Sequence, residues 1–130
     1  MTADGLTGIW HGLYTYPSRG TRVLFDATLI ESGWLTGSTH EICATGAFKG
    51  RTICATLEGS RAGNAVRFDK TYDPGIPGYT ATIAYGGVLS ADATEIEGSW
   101  TVSANWGGKF LMLRSTGKKQ AVDAKAFARI

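Results

Sequence analysis

Apolar and polar residues alternate with a period of two along most of this chain, which is the pattern of strands with one face buried and one face wet. From Val66 to Asp73, for example, Val66, Phe68, Lys70 and Tyr72 share one face, while Arg67, Asp69, Thr71 and Asp73 share the other. Such segments recur about every 10 to 15 residues, and clusters of Gly, Asn, Asp, Ser and Pro separate them. Eight strands are predicted, near residues 6 to 16, 21 to 31, 34 to 42, 50 to 58, 64 to 73, 79 to 87, 94 to 103 and 108 to 115. Turn chemistry falls between them at Pro17 to Gly20, Glu31 to Gly33, Gly46 to Gly50, Gly59 to Asn64, Asp73 to Gly78, Ser90 to Ala93 and Asn105 to Gly108. No helical period interrupts the series, so nothing is available as a parallel crossover.

Eight consecutive antiparallel strands with short connections are best satisfied by an all-β, up-and-down barrel, because closure removes the exposed sheet edges. The inward faces predicted from the alternation are Trp10, Gly12, Tyr14 and Tyr16; Val23, Phe25, Ala27 and Leu29; Ile53, Ala55 and Leu57; and Phe68, Lys70 and Tyr72. The last three strands add Ala81, Ile83 and Tyr85, then Ile96, Gly98, Trp100 and Val102, then Phe110, Met112 and Arg114. Outward positions are also apolar at Ile9, Leu13, Leu24, Ile30, Leu111 and Leu113. These lie on the first, second and last strands, which closure makes neighbours, so they form one patch in need of a cover. In the tail, residues 116 to 130, Val122, Ala126, Phe127 and Ile130 recur at helical spacing. A short C-terminal helix docked on the outer wall is one expectation for that patch, and a homo-oligomer contact is the other.

Composition narrows the class of protein. At 130 residues and 43% hydrophobic, the chain is sized for a single barrel domain, about residues 5 to 115, plus its tail. Thirteen basic against eleven acidic residues leave a net charge of +2, too balanced for a nucleic-acid partner, and Lys118 and Lys119 make the nearest thing to a basic run. No stretch reaches the about 18 apolar residues that a membrane helix needs, and the first residues lack a secretory pattern. A cytoplasmic protein is therefore expected, with Cys43 and Cys54 as buried thiols.

The interior lysine concentrates attention, since an ammonium on a buried face is costly unless paired or engaged by a ligand. With Arg114 and Glu41 it forms the candidate polar set, ringed by Tyr14, Tyr16, Tyr72, Tyr85 and Trp100. Two cations in an aromatic barrel suit an anionic head group with a partly apolar tail. The alternative is a Glu41 to Lys70 pair in a barrel filled by its own side chains, acting as a structural or interaction module through its outer wall. Glu41 itself faces inward or outward according to the length of the loop before the fourth strand. If Phe48 and Lys49 formed a two-residue turn, Cys43 would face Cys54 and carry Glu41 with it beside Thr56.

Catalytic patterns are sparse. His11 and His40 are the two histidines, expected as surface residues on outer faces without an evident Ser or Cys partner, so neither a metal pair nor a catalytic group is expected of them. Gly107-Gly108 and Asp73-Pro-Gly precede no helix and are turns, and the cysteines have no C-x-x-C spacing. No cofactor is implied. Trp34 and Trp106, both in predicted turns, are candidates for a barrel cap or a binding rim.

The opening Thr7-Gly-Ile-Trp10, together with Phe110-Leu-Met-Leu-Arg114, resembles the signature of the calycin superfamily, the lipocalins and their relatives. That resemblance implies a tryptophan on the first strand packed under a cation from the last strand, with Trp10 and Arg114 in those roles. Gly5 to Trp10 and Leu35 to Glu41 are also similar to the first and third strands of the avidin-like barrels. Where those place an asparagine and a serine two and six residues after the tryptophan, this chain has Gly12 and Tyr16, and Thr39 replaces the third-strand tyrosine. A biotin site is not expected. The resemblance implies binding of a small ligand inside the barrel, and some calycin-like barrels are isomerases with one internal carboxylate.

Overall fold

The computed structural model describes residues 5–17, 21–103 and 105–115. Eight strands run in chain order: β1 (Gly8–Thr15), β2 (Arg22–Glu31), β3 (Leu35–Ile42), β4 (Thr52–Ala62), β5 (Ala65–Tyr72), β6 (Ile83–Leu89), β7 (Glu95–Ser103) and β8 (Trp106–Arg114). Each pairs antiparallel with the next, and β8 returns to β1, so the sheet closes into a barrel with no free edge. The predicted all-β up-and-down architecture is what the chain adopts. The expected C-terminal helix lies outside the described residues.

Alternation sets the faces as expected. Trp10, Tyr14, Phe25, Leu29, Leu57, Phe68, Tyr85, Ile96, Trp100, Phe110 and Met112 fill the interior in one cluster. One end is closed by Trp10, whose indole N–H donates to the Leu6 carbonyl at 3.0 Å, and by the Arg114 guanidinium 4.5 Å above the indole ring. On the outer wall, Leu13, Leu111 and Leu113 form a separate buried cluster, whereas Ile9, Leu24 and Ile30 stay more than half exposed.

Several strand boundaries and one register differ from the sequence expectation; β8, for one, begins at Trp106, inside the turn predicted at Asn105 to Gly108. β4 runs to Ala62 and turns through Gly63 and Asn64 alone, with Gly63 in the left-handed region at φ 62°. A two-residue hairpin turn favours glycine at such a position. β6 begins at Ile83 rather than near 79, because the Tyr79 N–H closes a turn onto the Ile76 carbonyl at 3.1 Å and the β5–β6 ladder runs only to Lys70 opposite Ile83. Ala81 therefore sits in the connection, while Ile76 tucks its side chain against Cys43, Ile53, Ala55 and Tyr72. In the third hairpin the register is Glu41 opposite Ile53 and His40 opposite Cys54, so the two cysteines do not face each other. Cys43 is buried and Cys54 is exposed on the outer face, which corrects the expectation of two buried thiols. No helix among the described residues is long and apolar enough to cross a membrane.

Candidate functional site

The β3–β4 register decides the centre of the barrel. With Glu41 paired to Phe25 on one side and Ile53 on the other, its side chain points inward, where Lys70 arrives from β5 by its own alternation. The Lys70 Nζ donates to Glu41 Oε1 at 2.9 Å, with both side chains at 1% exposure or less. Glu41 Oε2 accepts from the Tyr14 hydroxyl at 2.7 Å and from the Tyr72 hydroxyl at 3.0 Å. Three donors thus converge on one carboxylate, satisfying the polar atoms that burial strips of water. The Lys70 ammonium also lies 4.8 to 5.0 Å from the ring centres of Tyr72, Tyr14 and Phe25. Burial pushes its pKa down, and the neighbouring carboxylate opposes that fall. Burial and the charge of Glu41 push the phenols of Tyr14, Tyr72 and Tyr85 well above their ordinary range.

Above this group the barrel opens. A cavity of about 520 Å³ descends from the end where β1, β5 and β7 finish to the rings of Tyr14 and Tyr72. Its walls are aromatic on both sides. Trp100 meets Tyr14, Tyr16 and Trp106 edge to face at centroid distances of 6.0, 6.1 and 5.1 Å. Opposite, Tyr79 stands edge-on to Tyr72 at 4.9 Å, and its phenol is pushed up chiefly by burial. The Trp100 indole N–H is spent on the Thr15 carbonyl at 3.0 Å, so that ring offers the cavity carbon and π surface.

Arg114 does not join this site. It lies at the closed end, where Nε donates to the Ala93 carbonyl at 3.0 Å and the two terminal nitrogens donate to the Thr7 and Gly5 carbonyls at 3.3 and 2.6 Å. The expectation that Lys70 and Arg114 supply charge to one ligand is corrected accordingly. The two belong to opposite ends of one strand-long interior, Arg114 paired with Trp10 at the closed end and Lys70 beside Tyr14 and Tyr72 near the open one. Glu41, Tyr14, Tyr72 and Lys70 are brought together, and Tyr85, Tyr16 and Trp100 line the cavity with the two phenols.

A second polar group occupies the outer wall. His11 is buried, which corrects its assignment as a surface residue, with Nδ1 2.7 Å from Asp26 Oδ1 and Nε2 3.1 Å from Ser115 Oγ. His40 is exposed as expected, 3.3 Å from the other oxygen of Asp26. The serine partner left no sign in the sequence because it lies 104 residues from His11, and only closure of β8 onto β1 joins them.

Sequence reasoning did not single out Tyr79, although it heads the segment predicted as the sixth strand with the parity of Ala81, Ile83 and Tyr85; it sits in the connection before β6 and lines the cavity. Trp106, singled out for its place in a turn, does line the mouth and is half exposed. Trp34 is 67% exposed and is not part of the cavity lining.

No protein-family model matches this chain, and no curated protein does. Among solved structures the barrel is similar to one described as a redesigned beta barrel, with a TM-score of 0.67 over 87% of this chain and 94% of that one. Identity in that comparison is 17%, so the likeness carries the fold alone.

Proposed function

We propose that this chain is a calycin-like barrel that binds a small, partly apolar ligand in the aromatic cavity at its open end. The observation that carries the reading is the cavity itself. About 520 Å³ lies within the range of small-molecule sites, and its lining of Tyr, Trp and Ile with a few polar tips has their usual character. Trp10 beneath Arg114 supports the calycin resemblance, because that cation-over-indole contact forms where the resemblance requires it. An anionic head group loses its support, since Lys70 is engaged by Glu41 and Arg114 by three backbone carbonyls. An isomerase built on Glu41 gains none, as that carboxylate already receives three donors.

One observation favours a second reading, a contact surface between copies of the chain or with another protein. Ile9, Leu24 and Ile30 are each more than half exposed on the adjoining strands β1 and β2. Native mass spectrometry of the purified protein addresses both readings at once. A co-purifying mass that is lost under denaturing conditions supports the ligand reading, and a multimer assigns the outer residues to subunit contact. Bare monomer, combined with no shift of tyrosine or tryptophan side-chain NMR signals on adding small aromatic probes, would overturn the ligand reading.

A further inference from the structure

The floor of the cavity is defined by how two phenol protons are spent. A tyrosine hydroxyl has one proton and two lone pairs. Both the Tyr14 and the Tyr72 protons are directed at the same oxygen of Glu41, at 2.7 and 3.0 Å, and the two hydroxyl oxygens lie 3.5 Å apart. With both protons committed to Glu41, this pair has only lone pairs left to offer a ligand, two acceptors side by side. Resting on the ligand-binding reading above, we infer that the pocket selects a ligand whose head group is a hydrogen-bond donor, an aryl-alkyl ammonium, over one bearing a carboxylate or phosphate.

The walls point the same way. Faces of Tyr and Trp rings are electronegative and attract a cation, the more so when water is excluded. Placing negative charge at the floor is opposed, as the upward displacement of the Tyr14, Tyr72 and Tyr85 phenols by burial and by Glu41 indicates. The nearest fixed cation, Lys70, already sits over the Tyr14, Tyr72 and Tyr85 rings, but Glu41 balances its charge at 2.9 Å, which leaves the Trp100 and Trp106 rings and the Tyr14–Tyr72 oxygens for a ligand cation. Thr45 and Tyr79 hydroxyls meet each other at the mouth at 3.5 Å, and Tyr16 and Tyr85 carry both a proton and lone pairs, so they accept either kind of partner. Discrimination falls to the Tyr14–Tyr72 pair. A primary ammonium seated there gives each oxygen an N–H; a carboxylate would set lone pairs against lone pairs.

The test is titration calorimetry with four probes that share a phenylethyl body. They are 2-phenylethylammonium, trimethyl(2-phenylethyl)ammonium, 2-phenylethyl methyl ether and 3-phenylpropanoate. The primary ammonium is expected to bind about tenfold or more tightly than the carboxylate and the ether, the gap of one charge-assisted hydrogen bond. The trimethylammonium probe, which keeps the charge and lacks the N–H, is expected between them. In Tyr72→Phe, or in Tyr14→Phe should the first fail to fold, the primary ammonium loses about tenfold while the trimethylammonium changes less than about twofold. Equal or tighter binding of the carboxylate would overturn the inference while leaving a ligand site in place. Failure of all four probes to bind would remove the site itself, and the inference with it.

Discussion

At the scale of single residues, the interior pair sets the energetics. Lys70 and Glu41 are both shielded from water, so removing one member strands the other without its charge partner. Lys70→Met is expected to cost about 3–5 kcal/mol, read as a lower urea midpoint, and Glu41→Gln added to it should restore most of that loss. Equal destabilisation by the single and double variants would show that the cost is one of packing and not of charge. Lys70 was legible in the sequence, because it interrupts an apolar face in a strand of clear alternation. Glu41 was not, since its facing turns on the parity of the loop from Cys43 to Arg51. That parity is settled by Cys43 N–H donating to the Arg51 carbonyl and Gly50 N–H donating to that of Cys43.

At the scale of elements, β6 and β7 are drawn together by glycines. A β-carbon at Gly98 would meet the Gly86 carbonyl oxygen and the Gly87 Cα, which are backbone atoms without freedom to swing aside. Gly98→Ala should therefore destabilise by about 2 kcal/mol or more, measured from the denaturant midpoint. Gly86 faces open space at its own β-position, so Gly86→Ala is the matched control and should stay within about 1 kcal/mol of the parent. Element order, count and most facings could be read from alternation and turn residues. The start of β6 could not, because the ten residues from Asp73 to Thr82 mix strand formers such as Tyr79 and Thr80 with two prolines and two glycines. Only the packing of Ile76 and Tyr79 against Tyr72 places that segment.

For the whole molecule, the buried phenols tie stability to pH. Tyr14, Tyr72 and Tyr85 have folded-state pKa values raised above the ordinary 10.0, so the stability they contribute is fully present below about pH 10 and is lost as pH climbs beyond it. Lys70 runs the other way, its folded pKa being lowered from 10.5, and its effect levels off once the unfolded lysine has lost its proton. Above about pH 10.5 the phenols dominate, and unfolding free energy should fall by about 4 kcal/mol per pH unit for three of them. Phenolate absorbance for these three tyrosines should then emerge together with loss of the fold; titration near pH 10 in the intact barrel would contradict it.

By itself the sequence determined the class and order of this fold, since strand alternation and turn chemistry are local and a closed sheet is the way to bury one face of eight strands. It also determined that Lys70, four tyrosines and Trp100 would point inward or line the interior wall. The calycin resemblance already implied Arg114 over Trp10; only the tertiary structure decided that Lys70 meets Glu41 and that His11 meets Ser115. Those meetings depend on register, loop parity and barrel closure, which are properties of pairs of distant strands and leave no mark on either strand alone.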